Sequence, residues 1–289
     1  MKRTDPFRWV TIVPVNLWLW IWVLLPALMV VAVSFASRDP EHLIQWTFNL
    51  TNYQRLADPL YLQVFWESFW LSGITAILCL LLGFPFAWWL ARLAPRWRSL
   101  ALFLLIIPFW TNSLIRTYAI KLILGKQGLL NGLLLVLHLV DEPLDLLYTQ
   151  FAVVFGLVYI LLPFMVLPLY SNLEKLDDSL LEAARDLGAG RWQVLRKIII
   201  PLTLPGIVAG TLIVFLPAMG MFYIADLLGG AKNLLLGNIV KNQFLSSLDW
   251  PFGSAISVAL IPLMGVLMLA YFQAAKWVNR NGGIHDSTL

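Results

Sequence analysis

Asp226 is the side chain of this sequence that is best suited to bind a positively charged solute. It lies near one end of an apolar segment, and four residues there follow the i, i+3, i+4, i+7 spacing of one helix face: Met219, Phe222, Tyr223 and Asp226. A carboxylate beside aromatic rings attracts an ammonium group, and each cation–π contact contributes about 0.5–2 kcal/mol. A charge inside a bilayer costs at least ~2.5 kcal/mol, so an acidic residue there is a candidate for function. The spacing predicts a cation-binding face.

Asp226 also has two structural interpretations. Its carboxylate could form an ion pair with Arg116 or Lys232, or it could be a solvated helix end. The sequence leaves these interpretations open beside the binding role.

Four more side chains are candidates for the path of such a solute: Glu67, Tyr159, Trp110 and Asn112. Glu67 lies between two tryptophans, although a simple carboxylate at the membrane interface is the stronger interpretation. Tyr159 falls in the middle of an apolar segment, where its hydroxyl needs a partner, so it lines a path or bonds to a neighbouring helix. Trp110 and Asn112 follow a proline, and packing is the default interpretation for both.

The sequence contains no arrangement typical of an enzyme or of a nucleotide-binding chain. No GxxxxGK[ST] segment is present, so the chain has no such loop to hold ATP phosphates. The three histidines form no HExxH or paired-ligand spacing, and no nucleophile–base motif occurs. We therefore expect no catalytic residue, no metal and no cofactor in this chain, and an energy source in another polypeptide.

The charge-rich segment 171–202, between two apolar runs, carries the most specific pattern of the sequence. It reads EAA, three residues, G, nine residues, I, one residue, then I and P. Its defining residues are Glu182, Ala183, Ala184, Gly188, Ile198, Ile200 and Pro201.

Local rules predict two short helices in this segment. Ser179 and Glu182 fit a capping box, and Gly188 supplies the backbone freedom that a turn between two helices requires. A second helix is predicted over 191–200, with Pro201 and Pro205 marking the return into the membrane. The same caps and turn would also suit any other cytoplasmic loop.

Composition indicates an all-α integral membrane protein. The chain is 60% hydrophobic and 12% charged, whereas soluble domains carry about 25% charged residues. A helix needs about 20 apolar residues to cross a bilayer. About six transmembrane helices are predicted, at 9–35, 66–91, 99–121, 148–170, 203–228 and 252–277. The run 127–140 is too short to span and is expected to form an interfacial or re-entrant helix.

The distribution of Lys and Arg predicts cytoplasmic N- and C-termini. With six spans and an N-terminus inside, the inner segments hold 13 of the 20 cationic residues and the outer segments hold the other 7. This bias obeys the positive-inside rule, and it places the 171–202 segment in the cytoplasm. The net charge of +4 therefore reflects topology, and nothing suggests a nucleic acid as partner.

The pattern in 171–202 resembles the EAA coupling loop of permease subunits in ABC importers, with Ile200 in place of a leucine as the one departure. Other stretches resemble the permease subunits of bacterial spermidine/putrescine importers: 108–116, 156–165, 181–189, 216–220, 229–234 and 249–253. This resemblance runs from about residue 20 to residue 275.

The resemblance implies a type I ABC importer permease (MetI-like) fold, with residues 1–289 as a single transmembrane domain in the bacterial inner membrane. It implies polyamine cargo and contact between the 171–202 loop and a separate ATPase. The implied partners are a second homologous permease subunit, two copies of a cytoplasmic ATPase that binds ATP and Mg²⁺, and a periplasmic polyamine-binding protein. Membrane lipid surrounds the chain.

Three alternatives remain. The chain could belong to a related importer for another small solute, such as a metal complex or thiamine. A secondary transporter working alone would have no reason to carry the coupling pattern and would usually show internal repeats. A membrane enzyme would need a catalytic motif, and the sequence offers none.

Overall fold

The computed structural model describes residues 6–39, 41, 43–230 and 233–281. The two ends of the predicted 1–289 domain and Lys232 lie outside the described residues.

Strands Ser37–Asp39 and Leu43–Gln45 pair antiparallel. The α-helices are α1 (Pro6–Leu19), α2 (Leu25–Ser34), α3 (Thr51–Leu56), α4 (Pro59–Ala91), α5 (Pro95–Ile106), α6 (Ser113–Leu124), α7 (Leu129–Val136), α8 (Gln150–Leu173), α9 (Asp178–Asp186), α10 (Arg191–Val194), α11 (Ile200–Gly220), α12 (Phe222–Ile224), α13 (Leu236–Leu245) and α14 (Trp250–Asn281). Turns of π-helix occupy Trp20–Leu24, Leu195–Ile199 and Ala225–Gly229, and a 3₁₀ turn occupies Ile107–Trp110.

Most of the predicted membrane spans are helical. Within the described residues, 5 helical stretches are long and apolar enough to cross a membrane: Ile12–Ser34, Pro59–Ala91, Ser113–Val136, Gln150–Leu173 and Arg191–Gly220. A shorter apolar stretch, Trp250–Leu263, begins α14. The helices predicted at 9–35, 66–91, 148–170 and 252–277 are thereby confirmed as helices.

The helix predicted at 99–121 is wrong as a single element. Thr111 is extended, with φ −91° and ψ 144°, so the helix that starts at Pro95 stops there. A new helix, α6, then begins under the cap of Asn112, whose Oδ1 accepts a hydrogen bond from the Leu114 N–H at 2.8 Å. The run 127–140 contains the short helix α7, which follows a turn closed by the Gly128 N–H and the Gly125 carbonyl.

Contacts divide the described chain into two compact units. One contains residues up to 62 together with 239–263, and the other contains 63–238 together with the residues from 264 onward. In the second unit, glycines bring α8 close to its neighbours. A Cβ at Gly210 would lie 2.6 Å from Met165 Sδ, and one at Gly83 would lie 3.2 Å from Met165 Cγ. Such small-residue contacts let membrane helices pack by van der Waals attraction, so Gly210→Leu would force α8 and α11 apart.

Candidate functional site

The helix that carries the EAA residues begins at a different cap from the predicted one. Asp177 is the N-cap of α9, and its Oδ1 accepts a hydrogen bond from the Ser179 N–H at 2.9 Å. This bond lowers the pKa of the Asp177 carboxyl. The predicted capping box of Ser179 and Glu182 is therefore wrong, because both residues already lie inside the helix.

The two faces of α9 differ sharply. Leu181 and Ala184 are buried, whereas Glu182, Ala183 and Arg185 are exposed. One face therefore packs against the rest of the chain. The other presents a carboxylate beside a small, flat alanine surface, which suits a contact with another protein.

Gly188 makes the turn after α9, as predicted. Its φ is +83°, in the left-handed region where residues with a side chain are strained. The Gly188 N–H donates to the Arg185 carbonyl at 2.8 Å, and the Ala189 N–H donates to the Ala184 carbonyl at 3.0 Å. These bonds satisfy carbonyls at the end of the helix. A Cβ at Gly188 would meet nothing within 4 Å, so the requirement for glycine comes from backbone conformation alone.

The second helix of the segment does not end at Pro201. It starts at Arg191, where Gln193 Oε1 accepts a hydrogen bond from the Gly190 N–H at 3.0 Å, and it continues without a break to Gly220. The helix predicted over 191–200 therefore begins where expected but is longer than predicted, and the return into the membrane at Pro201 and Pro205 stays a prediction.

The backbone pairing of the helix changes just before Pro201. The π-helical turn Leu195–Ile199 shifts the backbone pairing just before Pro201, which has no N–H to donate. Thr203 Oγ1 donates to the Ile199 carbonyl at 2.8 Å. Ile198 and Pro201 are both half-buried on this stretch.

Two ion pairs connect the segment to the ends of neighbouring helices. Arg92, just after α4, lies 3.3 Å from Asp178, and Arg98 in α5 lies 2.6 Å from Glu174. Arg92 also stacks on Trp88, with the guanidinium carbon 3.2 Å from the ring centroid. The spacing of these two arginines in the sequence does not identify their carboxylate partners, which lie 86 and 76 residues away.

The predicted cation-binding face is not one helical face. The helix predicted at 203–228 ends at Gly220, and Met221 adopts φ −74° and ψ 66°. Close packing accompanies the break, since no side chain fits at Gly237 beside the Gly220 carbonyl. Met219 is buried before the break, whereas Asp226 is exposed after it.

Asp226 is held by a buried amide that sequence reasoning missed. Its Oδ1 accepts a hydrogen bond from Asn238 Nδ2 at 2.6 Å. The same nitrogen donates to the Phe222 carbonyl at 3.1 Å, and Asn238 Oδ1 accepts from the Leu235 N–H at 2.9 Å. The Phe222 and Tyr223 rings meet edge to face at 6.1 Å. The carboxylate and both aromatic rings therefore belong to one short, fixed segment.

The other candidates for the solute path occupy different positions. Glu67 is half-buried and accepts a hydrogen bond from Gln63 Nε2 at 2.8 Å. Tyr159 and Trp110 have 45% and 75% of their surface exposed in this chain, and the Trp110 ring meets that of Phe103 edge to face at 5.9 Å. Asn112 is the helix cap described above. Within the described residues no group of three His, Cys, Asp or Glu side chains is placed to hold a metal.

Comparisons with known proteins agree with this architecture. Residues 83–281 match the family described as "Binding-protein-dependent transport system inner membrane component". The spermidine/putrescine transport system permease protein PotB of Salmonella typhimurium (strain SL1344) is 54% identical over 97% of this chain and 98% of its own length. PotB of Escherichia coli (strain K12) is 55% identical over 91% and 96% of the two chains.

A solved structure of similar fold is that of a bacterial alginate ABC transporter in complex with an alginate pentasaccharide-bound periplasmic protein. A chain of that transporter superposes with a TM-score of 0.71 at 15% identity, covering 92% of this chain and 93% of that one. This likeness shows the fold of an ABC transporter permease. The family match covers more than half of the sequence, and the chain belongs to the inner membrane components of binding-protein-dependent transport systems.

Proposed function

We propose that this chain is the transmembrane permease subunit of an ATP-driven importer that moves spermidine and putrescine across the bacterial inner membrane. The observation that carries the proposal is the 54% identity, over nearly the whole of both chains, to a protein named for that transport. The coupling segment and the carboxylate beside two aromatic rings fit such a role.

Two copies of a cytoplasmic ATPase, which binds ATP and Mg²⁺, drive the cycle in this proposal. The exposed face of α9, with Glu182 and Ala183, enters a groove on one ATPase copy as a short helix does in other helix-in-groove contacts. A second homologous permease takes the other copy. A periplasmic polyamine-binding protein delivers the cargo.

The proposed topology places both termini and the coupling segment in the cytoplasm. The 13 to 7 division of Lys and Arg supports it. Closure of the ATPase dimer would then push α9, and the turn at Gly188 would pass this displacement to the helix that starts at Arg191. A helix of 30 residues is about 45 Å long and moves as a rigid body over that length.

The polyamine path is proposed to include Asp226, Phe222 and Tyr223, where one carboxylate and two rings lie together. Four further residues complete the proposed set: Glu67, Tyr159, Trp110 and Asn112. Exposure of Tyr159 and Trp110 supports contact with something outside this chain, whether cargo, lipid or the second permease. A polycation requires several weak sites rather than one strong site, because tight binding would trap it.

Purification of the tagged chain from mild detergent, with identification of the co-purifying chains, tests the assembly. An ATPase and a second permease should appear, and the reconstituted complex should import labelled spermidine with ATP. Glu182→Lys should lower uptake at least tenfold, whereas Asp186→Lys, a matched charge change at the end of the same helix, should not. Uptake by the isolated chain without ATP, or import of a different solute only, would contradict the proposal.

A further inference from the structure

A cavity of about 350 Å³ opens between the end of α4 and the coupling segment. Its walls are mainly apolar and include Phe84 and Trp88 from α4 and Leu195 and Ile199 from the second helix of the segment. Arg185 and Arg191 also line it. Its volume lies in the range of small-molecule sites, about 300–1,000 Å³.

The two arginines of this cavity have no acidic partner within the described part of the chain. Arg92 nearby is paired with Asp178, but no carboxylate lies within 4.0 Å of the guanidinium of Arg185 or Arg191. Burial and the charge of Arg185 lower the pKa of Arg92, against the opposing effect of Asp178. The positive charge of Arg185 thus acts on Arg92, and an anion bound beside Arg185 would offset that charge.

The lining of the cavity extends along α4 into its apolar part. Phe84 stands eight residues before Arg92 on the same helical stretch, which corresponds to about 12 Å along the axis. Residues 68–91 contain no charged side chain. An occupant that matches this lining carries a negative charge near the two arginines and an apolar part beside the other residues. Anionic lipids have both parts, and basic pockets at the cytoplasmic ends of membrane helices bind them.

We propose that this cavity binds an anionic glycerophospholipid of the cytoplasmic leaflet. Its phosphate lies between Arg185 and Arg191, and the upper part of one acyl chain lies along Phe84, Trp88, Leu195 and Ile199. The inference rests on the proposed orientation, with the coupling segment in the cytoplasm. The lipid would bridge α4 and the two coupling helices.

The test compares the lipid retained by the purified transporter complex in phosphatidylcholine nanodiscs that contain a small fraction of phosphatidylglycerol. Arg185→Gln/Arg191→Gln should weaken phosphatidylglycerol retention about thirtyfold, because each cation near a membrane surface contributes to the attraction. The control Arg196→Gln/Lys197→Gln removes the same charge from residues outside the cavity and should retain the lipid. Leu195→Trp places a larger side chain in the cavity and keeps both arginines. This variant should also lose the bound phosphatidylglycerol.

Equal retention by both double variants would show a general surface attraction and overturn the proposal. Displacement of the lipid by inorganic phosphate alone would show that the two arginines bind a free anion and not a lipid. If Arg185→Gln/Arg191→Gln lost the ATPase and kept the lipid, the two arginines would bind the protein partner and not the lipid. Retention is measured without transport, so absence of polyamine uptake with the lipid still bound would contradict the proposed function and leave this inference standing.

Discussion

Arg55 and Asp249 form an ion pair across 194 residues of sequence, with Nη1 of the arginine 2.8 Å from Oδ2 of the aspartate. The other carboxylate oxygen accepts a hydrogen bond from the Phe252 N–H at 3.2 Å, which caps the start of α14. The guanidinium also lies 3.9 Å from the ring centroid of Phe252. One carboxylate therefore both begins a long helix and anchors α3.

Asp249→Asn and Asp249→Ala should separate these two roles. Asparagine still caps a helix but carries no charge, whereas alanine loses both interactions at a cost of about 1–2 kcal/mol. We expect thermal unfolding of the purified complex at progressively lower temperature from wild type to Asn to Ala. The Arg55 side chain is 42% exposed, so the charge contributes the smaller part. A larger effect from Arg55→Gln than from Asp249→Ala would contradict this assignment.

Gly188→Val should impair coupling more than Gly188→Asn. Asparagine tolerates a positive φ, whereas a β-branched residue there is strained by about 1–2 kcal/mol. No atom lies within 4 Å of the added Cβ, so steric contact cannot explain a difference. Spermidine uptake per ATP hydrolysed in proteoliposomes is the measurement. Equal losses in both variants would show that the position requires a small residue for contact with the ATPase.

Asp226→Asn should raise the KM for spermidine about threefold to tenfold, because an exposed carboxylate contributes modestly to binding a cation. The amide keeps an oxygen that can accept the hydrogen bond from Asn238, so assembly should persist. Asp141→Asn removes an exposed charge from another segment predicted to face outward and serves as the control. An unchanged KM for Asp226→Asn would limit this residue to a structural role.

Acidification should loosen α9 through Asp177. The pKa of this carboxyl is lowered in the folded chain, so its contribution is fully present above the ordinary value and is lost as pH falls through the lower, folded value. Hydrogen-exchange protection of the α9 amides, corrected for intrinsic rates, should therefore fall only in strong acid. Asp177→Asn should weaken this pH dependence and leave the part that comes from the Arg92–Asp178 ion pair, whereas the exposed control Asp186→Asn should keep all of it.

The sequence was sufficient to predict local structure at positions where a residue has one physical role. The turn at Gly188 follows from the absence of a side chain, and the membrane helices follow from long apolar runs. Prediction failed where tertiary contacts decide the local geometry. The helix from Arg191 was predicted to end at Ile200, but it continues through Pro201, and the break at Met221 accompanies close packing of Gly220 and Gly237. Asn238, which holds Asp226, gave no signal in the sequence.

The break at Met221 has a consequence for any tilting of the long helix that precedes it. Met219 belongs to that helix, whereas Asp226 is fastened to Asn238 beyond the break. Tilting the helix about Gly220 would change the separation of Met219 and Asp226 while leaving the carboxylate bound to its amide. The position of the carboxylate is therefore set by Asn238 and not by the long helix.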